Sequence, residues 1–109
     1  MTRDYGGAYD IDPQAFFTRE EVNEFAEDVC DAVAKELKDH DIRVSDSYIT
    51  YEDNKDILTV ELCADGDYCL SVEHSIDYRT IRKPSDINKM IPIFVYVFVN
   101  RFNDIFEEQ

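Results

Sequence analysis

Cations, histidine, glycine and cysteine are all scarce in this chain of 109 residues, and each shortage removes a class of function. Lys and Arg total 11 against 25 Asp and Glu, a formal charge of -14, so binding to phosphate backbones is strongly disfavoured and a direct reader of DNA or RNA is not expected. With 3 Gly there is no Gly-rich phosphate loop, and the 2 His, His40 and His74, are too far apart in sequence for an HExxH pair. The cysteines are also few and odd in number. Cys30, Cys63 and Cys69 match neither a CxxC zinc spacing nor a disulfide-rich framework, so reduced thiols are the expectation. No apolar run reaches the roughly 18 residues of a membrane span, and Met1 to Ala15 contains none of signal-peptide length, which points to the cytoplasm. Acidic residues without a fold to arrange them define no ligand geometry, so neither a metal nor a cofactor is expected.

What the chain does contain is enough apolar material to fold. Hydrophobic residues make up 44% and aromatic residues 13%, with 7 Tyr and 7 Phe, unlike disordered acidic tails that are poor in aromatics. A chain of this length buries roughly two-thirds of the surface its unfolded form exposes, which suits one domain with its own core. Residues 1–15, with a Gly pair, a Pro and scattered Tyr without period, read as a loosely ordered N-terminal arm. Residues 16–109 read as a single α+β domain.

Thr18 and Glu21 form a capping box, with Phe17 and Val22 at the staple positions, so a helix starts just after Thr18. Val22, Phe25, Ala26, Val29, Val33 and Leu37 give it one apolar stripe running to about Asp39. From Ile42 the period becomes two. Ile42, Val44, Tyr48, Ile49 and Tyr51 suggest a first strand bent near Ser45 to Ser47, followed by a polar turn over residues 52–56. Leu58, Val60, Leu62 and Ala64 alternate with polar partners, as do Tyr68, Leu70, Val72 and His74. A two-residue loop at Asp65-Gly66 would place these two apolar sets on opposite faces. A three-residue loop, Asp65-Gly66-Asp67, pairs Leu62 with Leu70 and Val60 with Val72, and is therefore expected. It also sets Cys63 opposite Cys69, close enough to bridge if oxidised.

The last third is expected to be a broken helix. Ser85 caps a short turn through Met90, and Pro92 then opens a helix in which Ile91, Phe94, Val95, Phe98, Phe102, Ile105 and Phe106 follow a 3.6 period. The whole reads as a two-layer α+β fold: N-terminal helix, three-stranded antiparallel sheet, C-terminal broken helix.

Candidates for chemistry are few. His40 falls near the end of the first helix, where the dipole favours a cation, and His74 on the inward pattern of the third strand or at its frayed end. Cys30 flanks the apolar stripe and reads as a packed thiol. A non-enzymatic protein is the expectation. The acids are the unusual feature. Glu20, Glu24, Glu27, Asp28 and Asp31 share one face of the first helix, on turns about 5.4 Å apart, a separation similar to that of neighbouring phosphates. Asp53 and Asp56 sit at one turn and Asp65 and Asp67 at the other, where they are expected to project. Residues 1–78 carry 21 acids and 6 bases, net -15, whereas residues 79–109 carry 4 and 5, net +1. Such crowding opposes compaction, and contact with a basic surface would relieve it.

The segment Leu58 to Val72, LTVELCADGDYCLSV, within a small acidic chain of this element order, resembles small phage anti-CRISPR proteins that inhibit an RNA-guided DNA nuclease. The similarity covers the element order and the Asp-Gly-polar-Tyr turn. It implies that acidic side chains on strand loops occupy the PAM-reading surface in place of DNA, with Asp65 and Asp67 in the matching positions. The partner implied is a basic nucleic-acid-binding protein, an RNA-guided CRISPR nuclease in the case of that family, in the cytoplasm of a bacterial host. Three readings follow: an inhibitor that mimics DNA in a basic cleft, an immunity protein bound beside the active site of a basic nuclease toxin, or a small structural or adaptor protein whose acidity serves solubility. Reversing Asp65 and Asp67 to Lys is expected to weaken binding without unfolding the domain.

Overall fold

The computed structural model describes residues 16–108, so the expected N-terminal arm at 1–15 lies outside the described residues. The order is helix α1 (Arg19–Glu36), strands β1 (Ile42–Glu52), β2 (Lys55–Ala64) and β3 (Tyr68–Ser75), a 3-10 helix (Pro84–Met90) and helix α2 (Ile91–Glu107). The sheet is antiparallel with β2 in the centre, the α+β arrangement expected from the periodicities.

Helix α1 begins where its cap predicts. Thr18 Oγ1 accepts from the Glu21 amide at 3.0 Å, and Glu21 Oε1 accepts from the Thr18 amide at 2.8 Å. Phe17 and Val22 are both buried, which sets the angle at which the chain enters the helix. The helix stops at Glu36 rather than near Asp39. Leu37 remains in the core as the cap residue, but the His40 amide turns back to the Leu37 carbonyl. Asp41 is then held from the hairpin side: its carbonyl accepts from the Asp65 amide, and its amide donates to Asp65 Oδ1.

The bend expected in β1 is a bulge. Val44 pairs with Leu62 and Asp46 with Glu61, leaving Ser45 as the extra residue. That insertion switches parity, so Ile42 and Val44 face the helices before it, and Ser47 and Ile49 face them after it. Ser47 is buried there and its hydroxyl donates to Asn23 Oδ1 of α1 at 3.1 Å. The β1-β2 turn is tighter than the sequence suggested. Glu52 pairs with Lys55, and only Asp53 and Asn54 make the loop, at φ 52° and 64°, the backbone of a type I′ turn.

Between β2 and β3 the register is the expected one. Leu62 pairs with Leu70, Val60 with Val72 and Cys63 with Cys69 across the turn Asp65-Gly66-Asp67, where Asp65 and Gly66 take positive φ. Cys63 and Cys69 are joined as a disulfide, with a Cα separation of 4.0 Å, which corrects the expectation of reduced thiols. The odd count came from Cys30, which is buried and free, and the pairing is decided by register rather than by spacing along the chain.

Both helices cover one face of the sheet. Leu58, Val60, Leu62 and Ala64 from β2 meet Phe25, Val29 and Val33 from α1, with Phe94, Phe98 and Phe102 from α2 closing the core at 0% exposure. Phe25 and Phe94 pack edge to face at 5.2 Å between centroids. The strand-forming composition of IFVYVFV is thus overridden, because a 3.6 period delivers three Phe side chains to one stripe. Ser85 is not the cap of the 3-10 helix. The Asp86 carboxylate takes that part, accepting from the Arg82 and Lys83 amides. The opposite face of the sheet carries Tyr48, Thr59, Glu61, Glu73 and the disulfide, with no helix over it among the described residues.

Candidate functional site

The acids of α1 lie directly opposite its buried stripe. Val22, Phe25, Ala26, Val29 and Val33 take the inward side, and at 100° per residue Glu20, Glu24, Glu27, Asp28 and Asp31 fall on the outward side, all exposed. Among the described residues none of these five lies within 4.0 Å of a basic nitrogen; the ion pairs formed involve Asp41, Asp65, Asp77 and Asp86 instead. Lys35 follows Asp31 by one helical turn without closing on it. The face therefore presents five uncompensated carboxylates on four consecutive turns.

Its two borders differ. Along one side Glu27 and Asp31 share a shallow depression with Asp41, Ile42 and Arg43, and Arg43 Nε pairs with Asp41 Oδ2 at 3.0 Å. Cys30 forms the floor, its thiol donating to the Ile42 carbonyl at 3.3 Å. Burial above all, and then the charges of Glu27, Asp31 and Asp41, push that thiol above its ordinary pKa, so it is held as a packed neutral group. Along the other side Glu21, Glu24 and Asp28 border Pro84, Ser85 and Asn88 of the 3-10 helix.

The turn acids do not form one set. Asp65 is engaged within the fold: Oδ2 meets His40 Nδ1 at 2.8 Å and Oδ1 accepts from the Asp41 amide at 2.9 Å. The hydrogen bond from His40, followed by that from Asp41, holds its carboxyl below the usual carboxylate range. Asp67 is exposed on the same turn and makes no side-chain hydrogen bond among the described residues. Because Asp65 is bonded to the chain that leaves α1, this tip sits at the C-terminal end of the acidic helix. Asp53 sits at the other end of β2, a ten-residue strand that spans about 30 Å at its usual rise. Asp56 does not project at all. It is 9% exposed, its Oδ2 accepts from the Tyr78 hydroxyl at 2.6 Å, and its carbonyl accepts from the Ile76 amide. The reason is that the loop closes at Asn54, so Asp56 already belongs to β2 and points toward the helix side.

Sequence reasoning also passed over an acidic group on the uncovered sheet face. Asp46 stands directly opposite Glu61, and Glu73 lies beside Thr59 on the neighbouring pair. The signal was available for Glu61 and Glu73, which alternate with the apolar residues of β2 and β3. For Asp46 it was hidden by the bulge. Glu61 Oε2 accepts from the Ser71 hydroxyl at 2.8 Å, which fixes one of these carboxylates on the sheet.

The two histidines have structural contacts. His40 stacks on Phe106, with 3.7 Å between centroids and 9° between planes, and His74 is exposed, its Nδ1 2.8 Å from the carbonyl of Ser75. No group of three or more metal-ligating side chains occurs among the described residues, and no helix there is long and apolar enough to cross a membrane. Comparison of the chain with protein families, curated proteins and solved structures finds no match.

Proposed function

We propose that the protein is a non-enzymatic inhibitor that lays the acidic face of α1 against the basic nucleic-acid-binding cleft of a bacterial partner. The observation that carries the reading is the row Glu20, Glu24, Glu27, Asp28 and Asp31: exposed, carried on a rigid capped helix, and unneutralised from within the described residues. Carboxylates held in this way meet Arg and Lys at little cost in ordering, because the helix is already anchored by the core. Asp67 lies on the turn beside the C-terminal end of the helix, and Asp53 on the turn at the other end of β2. An RNA-guided nuclease is one member of the partner class.

The test is capture from bacterial lysate at low salt with elution at high salt, using the wild-type chain and a Glu24→Lys/Asp28→Lys variant side by side. The reading requires a basic protein that the wild type retains and the variant loses, with affinity falling as salt rises. Duplex DNA is then titrated into the complex. Displacement supports mimicry in the cleft. A complex that survives saturating DNA makes the protein an immunity factor bound beside the active site. Equal retention by both chains returns the acidity of α1 to a solubility role.

A further inference from the structure

We propose that the bridge between Cys63 and Cys69 is a reversible thiol-disulfide exchange site, at which a soluble dithiol attacks Cys69 and expels Cys63 while the domain stays folded. The bridge joins β2 to β3 beside the turn Asp65-Gly66-Asp67, on the sheet face that no helix covers among the described residues. Cys69 lies on the edge strand and is exposed, whereas Cys63 lies on the central strand and is half-buried. A nucleophile arriving from solvent therefore reaches Cys69 Sγ first. The sulfur that leaves has a cation for a neighbour. Arg43 of β1 is the cross-strand partner of Cys63, on the same face of the sheet, and among the described residues its guanidinium is engaged only through Nε, by Asp41 at 3.0 Å. Glu61, two positions along β2 on that face, has Oε2 tied to the Ser71 hydroxyl. A cation beside a departing thiolate stabilises it, and a more stable thiolate leaves faster.

The fold does not depend on the bridge, because the hairpin is held from its other side. Val60, Leu62, Ala64 and Val72 are buried against the helices, Asp65 is bonded to His40 and Asp41, and Tyr68 packs edge-on against Phe106 at 6.3 Å between centroids. After reduction the register keeps the two thiols opposite each other, ready to close again. Cys30 does not intercept them, since it is buried on the helix side of the sheet with its thiol on the Ile42 carbonyl. The exchange balances in two displacements. A thiolate of the reductant forms a bond to Cys69 Sγ as the bond between Cys63 and Cys69 breaks, and the electron pair leaves on Cys63, which takes up a proton. The second thiol of the reductant, once deprotonated, forms the reductant's own disulfide and releases Cys69, which is protonated in turn. Two electrons and two protons have then passed to the protein, and a soluble disulfide reverses both steps.

The experiment reduces the oxidised chain with dithiothreitol near neutral pH, without denaturant, and counts the thiols exposed by iodoacetamide labelling and mass spectrometry. The expected result is labelling of Cys63 and Cys69 with Cys30 protected until denaturant is added. The rate should rise in proportion to dithiothreitol and stay constant in urea below the unfolding transition, because exchange at a surface bond needs no opening of the fold. Circular dichroism should be retained in the reduced chain, and oxidised glutathione should restore the bridge. Arg43→Gln should slow reduction by about threefold or more and Arg43→Lys should recover the rate. Arg19→Gln, the same charge change at the far end of α1, should leave it unaltered. A bond that is cut only in denaturant, or at a rate that climbs with urea below the transition, overturns the proposal. So does a reduced chain that has lost its circular dichroism, or a rate that Arg43→Gln leaves unchanged or that Arg19→Gln lowers equally.

Discussion

His40 Nδ1 lies 2.8 Å from Oδ2 of Asp65, across 25 positions of sequence, and the imidazole ring is at the same time stacked on Phe106. One side chain thereby joins the end of α1, the β2-β3 turn and the last turn of α2. An acid expected to project toward a partner is therefore part of what holds the hairpin to the helices. Asp65→Lys is expected to loosen the fold as well as change its charge, so the double reversal of Asp65 and Asp67 does not isolate recognition. Asp67→Lys alone does, and its thermal midpoint should match that of the wild type.

The same pair predicts an acid limb of stability. A carboxyl whose folded pKa is lowered adds stability that is complete above its unfolded value, about 4, and is lost as pH falls through the folded value. Asp77, lowered mainly by its hydrogen bonds from Arg79, and Asp86, lowered mainly by the Arg82 amide, act in the same direction. Denaturation midpoints measured from neutral pH downward should hold until about pH 4 and then drop. In Asp65→Asn the drop should be smaller. A variant that loses stability as steeply as the wild type would remove Asp65 from this role.

Tyr78 and Asp56 offer an alkaline counterpart. Burial, together with the hydrogen bond to the Asp56 carboxylate, raises the Tyr78 phenol well above its ordinary value. A raised folded pKa means stability that is present below the unfolded value, about 10, and lost as pH rises toward the folded one. Ultraviolet titration of tyrosinate should thus show a phenol ionising above the ordinary tyrosine value, and Tyr78→Phe should abolish that step. The substitution leaves a buried carboxylate short of one donor and is expected to cost about 1 to 2 kcal/mol in urea unfolding.

Phe98 is fully buried between the sheet and the helices. Phe98→Ala should cost about 3 to 5 kcal/mol, the range for removing an enclosed aromatic ring. A loss under about 1 kcal/mol would contradict the burial of this ring, because the lost transfer free energy alone exceeds that even where the site collapses.

Repulsion along α1 can be read from stability alone. Glu24 and Asp28 are one turn apart with like charge, a spacing that destabilises by about 0.2 to 0.5 kcal/mol. Asp28→Lys should raise the thermal midpoint slightly in low salt, and the gain should shrink in high salt as screening takes over. An equal gain at both ionic strengths would point to helix propensity instead.

Local rules carried much of the fold. The box of Thr18 and Glu21 marked the start of α1, a 3.6 period in Phe94, Phe98 and Phe102 outweighed the strand-forming composition around them, and parity chose the three-residue turn at Asp65. These features depend on residues within a few positions of one another, or on which face a side chain must take, and both are readable along a chain. The acidic face of α1 was legible for the same reason, since spacing alone gathers Glu20, Glu24, Glu27, Asp28 and Asp31. What each turn acid does was not. Asp56 is buried because Tyr78 reaches it from 22 positions away, Asp65 is tied because the chain after α1 returns beside it, and Asp53 is remote because β2 separates the two turns. Only the three-dimensional path decides whether a carboxylate meets a donor before it meets solvent, and a single bulge at Ser45 was enough to hide Asp46 from any count of alternation.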